Sequence, residues 1–185
     1  MFSSQKKHQN IAEYILYMWQ VEDFVRSCNF DIELIDQAAI SSYNVSDEEK
    51  RSIRNWYQEI INEMDIAQIR EVGHLEELNE ILVELSFLHN SLINIFQDNH
   101  YVTLFNEAKE IIDELKKKSG KNSRGDVESC LIGLYGIIVL KMQKKKITDE
   151  TLAAVKVIGS LISYLSDQYR SMKEGTLQLS KVKSN

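Results

Sequence analysis

Apolar residues recur along this chain at intervals of three and four, the spacing that gathers side chains on one side of an α-helix. At about 100° per residue, Ile11, Tyr14, Ile15, Met18, Val21, Val25 and Cys28 share one broad face of a first helix from Gln5 to Asn29, with Leu16 and Trp19 off that face. Ile32, Leu34 and Ile35 give an apolar side to a short second helix opening at Asp31. Ser46-Asp47-Glu48-Glu49 has the form of a capping box, in which the serine and the glutamate three residues on satisfy each other's backbone amides. The helix it starts carries Ile53, Trp56, Tyr57, Ile60, Ile61 and Met64, with a kink expected near Asp65 or a stop at Gly73. A fourth helix follows on Leu75, Leu78, Leu82, Leu85, Leu88 and Leu92, and a fifth on Tyr101, Leu104, Ala108, Ile112 and Leu115. Asp126 is read as the cap of a sixth helix that is apolar nearly all round, from Val127 through Cys130, Leu134 and Ile138 to Leu140. The seventh opens near Thr148 and runs to Lys173 on Leu152, Val155, Ile158, Ile162, Leu165 and Tyr169.

The pattern predicts an all-α, single-domain bundle of six or seven helices over residues 1–173, packed around a central apolar helix near 126–143, with a flexible tail at 174–185. Composition sharpens this. Proline is absent and glycine numbers only seven in 185 residues. Those two residues break helices and build turns, so long helices with short connections follow. Gly133 and Gly136 cost propensity inside the sixth helix, and the expectation is that a neighbouring helix approaches closely at both.

Net charge is −6 and unevenly spread: residues 1–115 carry 22 acidic and 8 basic side chains, residues 116–146 carry 2 and 9. Most of these basic side chains fall at Lys116–Lys118 with Lys121 and at Lys141 with Lys144–Lys146, each cluster at a helix C-terminus, where the helix dipole favours cations. Nucleic-acid affinity needs clustered cations, so no nucleic-acid partner is expected. No apolar run reaches the length of a bilayer span, and the lysines near the N-terminus are not followed by the apolar stretch of a secretory signal. Cys28 and Cys130 read as small buried hydrophobes in a reducing, cytoplasmic setting.

Asn10-Ile11-Ala12-Glu13-Tyr14 with Tyr17-Met18-Trp19-Gln20-Val21-Glu22-Asp23, and Gly133-Leu134-Tyr135-Gly136 with Lys141-Met142-Gln143-Lys144-Lys145, resemble an uncharacterised bacterial family of proteins of about this length, known only as a domain of unknown function. The resemblance implies a bacterial, stand-alone domain. It implies no catalytic residue.

Two polar residues lie where the wheel calls for apolar ones. Glu22 falls between Ile11 and Ile15, and His89 between Leu82 and Leu85. Buried ionisable groups are costly unless paired, so the two are expected to satisfy each other or other polar groups, the carboxylate raising the histidine pKa if they pair. They are also the ligand-binding candidates. Glu71-x-x-His74 has half the signature of a di-iron carboxylate bundle, but its second half is missing, and no His-x-x-x-His pair, phosphate loop, nucleophile elbow or Cys-x-x-Cys motif is present. No metal, cofactor or catalytic residue is assigned. The function expected is that of a non-enzymatic bundle acting through protein contact or homodimerisation, with Leu16 and Trp19 supplying the interface. The alternative is a small-molecule- or metal-binding bundle, an enzyme among the possibilities, centred on Glu22 and His89.

Overall fold

Most of the helix starts are set by side-chain oxygens that take up the first unpaired amides of the helix. In a computed structural model, which describes residues 7, 9–118 and 125–177, the Asn10 side chain accepts from the amides of Ala12 and Glu13 and opens α1, Ile11–Ser27. Asp31 caps α2, Ile32–Ala38, which leads into a 3-10 turn, Ile40–Ser42. Both halves of the capping box at Ser46 and Glu49 are present at the start of α3, Asp47–Ile66. Then come α4, Glu76–Asn94, and α5, Asn99–Lys118, whose Tyr101 amide bonds to the Asp98 carboxylate. α6 is Asp126–Met142, and α7 is Asp149–Lys173 with Thr148 as its cap. Among the described residues there is no strand. The chain is an all-α, single-domain bundle, as its periodicity predicts.

Scarce glycine shows at the helix ends. α1 closes with Phe30 N–H bonded to the Val25 carbonyl and Asn29 N–H to that of Arg26, a Schellman ending with Asn29 at φ +52°. α3 ends likewise with Gln68 at +56°, α6 with Lys144 at +54° and α7 with Gly175 at +68°. Three of these four left-handed positions therefore lack the glycine that would mark them in a sequence.

Two compact units are distinguished, with the divisions falling inside α1 and α4. In the unit formed by Tyr17–Glu80, Val25, Ile35, Ile40, Tyr57, Ile61, Met64 and Leu78 are buried. Trp56 stacks on Tyr17 and meets Tyr57 edge-on. In the unit that takes in the chain up to Leu16 and from Ile81 onward, α5, α6 and α7 pack on one another, and Leu85, Leu88 and Leu92 of α4 are buried with Ala108, Ile112, Leu131, Ile158, Leu161 and Leu165. Each fully buried aliphatic side chain stabilises by about 1.5–3 kcal/mol relative to its exposed state. Glu84 of α4 accepts from Tyr169 and pairs with Lys173, both of α7.

Several expectations need correction. α3 breaks off beside Asp65, at Ile66, as a stop where a kink was one alternative, and does not reach Gly73; Ile66 and Val72 are 84% and 77% exposed. Glu71 and His74 lie on the irregular connector before α4, so the Glu-x-x-His spacing does not sit on a helix. Asp126 does not cap α6. Gly125 occupies that position without a side-chain bond, and the Asp126 carboxylate is turned to tertiary partners. α6 is less central than its composition suggests: of residues 132–140 only Ile137 is buried. A Cβ built at Gly133 would meet Leu115 and Ile158 side chains at 3.1 and 3.2 Å, as close helix approach requires, whereas one at Gly136 would meet nothing among the described residues outside its own helix within 4 Å. The start of the first helix at Gln5 and most of the predicted tail lie outside the described residues.

Candidate functional site

Both sequence candidates are buried, and each has its own partners. Glu22 on α1 is fully enclosed. One carboxylate oxygen accepts the backbone N–H of Leu75 at 2.8 Å and the other accepts from His74 Nδ1 at 2.6 Å. One turn further along α1, Arg26 donates to the carbonyls of Ile69 and Gly73. These two side chains of one helix fix the connector from Ile69 to Leu75 from both ends of its polarity, the carboxylate taking N–H groups and the guanidinium taking C=O groups. Gly73 adopts φ +109°, a region closed to side chains, and a Cβ there would lie 2.9 Å from Ile69 Cγ2. Trp19 lies flat on the His74 ring, centroids 4.7 Å apart.

Trp19 is 2% exposed. The side chain expected to supply an oligomer surface is therefore spent within the chain, on the connector, and Leu16 is half-buried. The apolar arc of α1 is simply wider than the one stripe from which it was read.

His89 of α4 stands in a second network. Its Nδ1 is 2.7 Å from the Tyr101 hydroxyl and its Nε2 is 3.3 Å from Asp126 Oδ2, while Lys116 pairs with the other oxygen of Asp126. His89 is 4% exposed and Tyr101 fully buried. Burial holds the imidazole below its ordinary pKa, only partly offset by the Asp126 carboxylate. That reverses the rise expected from pairing with Glu22. Burial would lift Asp126, but the Lys116 ammonium and the His89 ring outweigh it and keep the carboxyl below its usual value. A neutral His89 and an ionised Asp126 assign the bonds: Tyr101 O–H donates to Nδ1, Nε2–H donates to the carboxylate, and Lys116 donates to its far oxygen. The His89 ring also meets Tyr101 and Phe105 edge-on. Next to this, Asp98 is 1% exposed and holds the Tyr101 amide and the Tyr164 hydroxyl. Cys130, one turn beyond Asp126, has its thiol pushed up to about 12 by burial.

The pattern of hydrophobicity flagged Glu22 and His89 but missed His74, Tyr101, Asp126 and Lys116. Tyr101 reads as one more apolar position, and Asp126 as a cap. Two further surfaces have chemical character. A cleft of about 490 Å³ between α2, the 3-10 turn and α3 presents Lys50, Arg51 and Arg54 beside Glu33, Asp36 and Asp47. Its cations are engaged locally: Arg54 with Glu33 and Asp36, Lys50 with the Ser41 carbonyl, Arg51 with that of Asp47. The other surface is on α6, where Ile132, Tyr135, Val139 and Leu140 are half-buried and Gly136 is exposed. Met142 at the end of α6 is 68% exposed. Among the described residues no three His, Cys, Asp or Glu side chains are grouped to hold a metal ion. Nor is any described helix long and apolar enough to cross a membrane.

Residues 1–176 match the family described as a domain of unknown function (DUF4924), and the chain belongs to that family. No curated protein and no solved structure matches it.

Proposed function

We propose that this protein works by protein–protein contact, as a self-associating helical bundle, and that it is not a catalyst. The observation that supports the reading is the surface of α6. It is the most apolar helix of the chain, with no charged residue from Cys130 to Leu140, yet most of its side chains from 132 to 140 keep part of their surface in water. An apolar face of this kind is what a protein partner covers. The partner proposed is a second copy. Sedimentation equilibrium of the purified protein should give twice the 21.5 kDa chain mass; a single-chain mass at every concentration, up to the solubility limit, would overturn it.

Two buried cysteines outside any disulfide support a cytoplasmic setting, where thiols stay reduced. The net charge of −6 supports the absence of a nucleic-acid partner. A second reading is favoured by one specific observation. The chain of bonds from Tyr101 through His89 to Asp126 and Lys116 has the form of a polarised proton path, so the ligand-binding alternative moves there from Glu22. Inorganic phosphate or Zn²⁺ raising the Tm of the wild type but not of His89→Gln would favour this second reading; no rise with either would leave the first.

A further inference from the structure

Most of α6 is apolar, but its two ends carry opposite charge. Its first turn holds Asp126 and Glu128, and Lys141 with Lys144–Lys146 stand at its far end. The macrodipole has the opposite sense, positive at the first turn and negative at the last. Midway lies Gly136, exposed, and among the described residues nothing beyond its own stretch of helix comes within 4 Å of where its Cβ would be. At about 100° and 1.5 Å per residue, Ile132 and Leu140 sit one turn below and one turn above Gly136, some 40° to either side of it. They are half-buried. The row Ile132–Gly136–Leu140 is thus a ridge of two aliphatic side chains with a notch between them, on a face that Val139 widens.

We infer that this row is the seam of a two-fold homodimer in which α6 of one protomer lies antiparallel to α6 of its partner, with the axis passing beside Gly136. The inference rests on the self-association reading and adds the orientation and the contacts. A two-fold axis makes the same patch serve on both sides. With the axis at Gly136, Ile132 of one protomer falls against Leu140 of its partner and each notch receives the other's backbone. Glu128 falls at the level of Lys144. A parallel arrangement would instead set acidic end against acidic end and basic against basic, and would align the helix dipoles unfavourably. Charge complementarity therefore selects both the occupant and its direction.

Gly136→Cys tests the geometry. At the two-fold axis the new thiols meet each other, so mild copper-catalysed oxidation should convert most of the protein to a covalent dimer. Wild-type protein, whose Cys28 and Cys130 are buried, should give none, and neither should Lys109→Cys on the exposed side of α5. Glu128→Lys should weaken the dimer about tenfold or more, and the double reversal Glu128→Lys with Lys144→Glu should restore it to within about threefold. Because Gly136 faces open space, Gly136→Arg should leave the helical circular dichroism unchanged while shifting the mass to the monomer. A dimer that persists in Gly136→Arg, and that Gly136→Cys does not cross-link, would overturn the antiparallel seam while sparing the self-association reading. A wild type that never dimerises would overturn both.

Discussion

The two carboxylate–imidazole pairs are mirror images in burial. In the first the carboxylate of Glu22 is fully enclosed and the His74 side chain is 24% exposed; in the second His89 is 4% exposed and Asp126 is 26% exposed. The buried member sets the chemistry. A buried carboxylate can be satisfied only by donors, and Glu22 takes a backbone N–H and a ring N–H. A buried imidazole is cheapest when neutral, and then needs one donor and one acceptor; His89 has Tyr101 and Asp126. The first pair therefore anchors a connector through charge. The second fixes side chains of α4, α5 and α6 through a neutral ring.

The largest effect that distinguishes them should come from Glu22→Ala. It strips partners from the Leu75 amide and the His74 ring and opens a small cavity, together costing about 3 kcal/mol. At roughly 2–4 °C per kcal/mol for a chain of this length, thermal denaturation should show a Tm loss near 10 °C, against almost none for Glu48→Ala. Glu22→Gln is subtler. Its carbonyl can still accept from Leu75, and its amide can donate to His74 in the other tautomer, so about 1–2 kcal/mol is expected. If Glu22→Gln and Glu48→Gln melt together, the anchoring role of the charge is wrong.

Gly73→Ala comes next, because it attacks the connector without touching the carboxylate. A side chain at φ +109° is strained by about 1–3 kcal/mol, and the Cβ would collide with Ile69 Cγ2 at 2.9 Å. We expect about 2 kcal/mol or more by urea denaturation. If Glu22 and Arg26 act by holding this connector, the double variant Glu22→Ala with Gly73→Ala should cost less than the sum of the two singles. Strict additivity would mean the anchor and the bend are independent.

The second pair should answer to pH. Its histidine is held neutral in the folded chain and titrates normally in the unfolded one, so below the ordinary histidine pKa, about 6.5, the unfolded state binds more protons. Stability from this group is complete above that value and is lost as pH falls through it, until the depressed folded value is reached. Asp126, also depressed, adds a further loss as pH falls through the ordinary carboxylate range. Tyr101→Phe removes the donor to Nδ1 and should cost about 1–2 kcal/mol at neutral pH. In His89→Gln the dependence of Tm on pH between about 5 and 7 should flatten relative to wild type. A slope unchanged in His89→Gln would assign it to other groups.

What was legible in the sequence follows from the range of each interaction. Helix periodicity and the Ser46 capping box are local, and both are found as read. The burial of Glu22 and His89 is also local, since a helical wheel needs only neighbours. Their partners are not local: His74 lies 52 residues from Glu22, and Asp126 lies 37 from His89. Asp126 shows the competition directly. Its position suggests a cap, but a buried imidazole and a lysine outbid the helix amides for its carboxylate. A break near Asp65 is legible, but that it is a full stop is not, because Gln68 takes a left-handed conformation normally flagged by glycine. The half-open state of α6 was hidden because hydrophobicity reports what a helix can bury, and not whether its own chain covers it.

The smallest expected effect tests whether the two pairs stabilise different parts of the chain. Cys28 follows directly on α1, just beyond Glu22 and Arg26, while Cys130 lies one turn past Asp126. Both thiols are buried. A thiol reagent can attack only after an opening that exposes them, and openings can be local to one cooperative segment. Cys130 has a further handicap, because burial holds its thiol far from ionisation and the thiolate is the reactive form. Under native conditions at neutral pH, labelling of both should therefore be slow. Glu22→Gln should speed labelling at Cys28 more than at Cys130, and Tyr101→Phe should do the reverse, each by about twofold to tenfold if half to all of a 1–1.4 kcal/mol loss falls on the local opening. Mass spectrometry of the modified peptides reads both sites in one sample. Equal acceleration of the two thiols by either substitution would mean that opening is global. The two histidine pairs, however different in their chemistry, would then support a single cooperative structure.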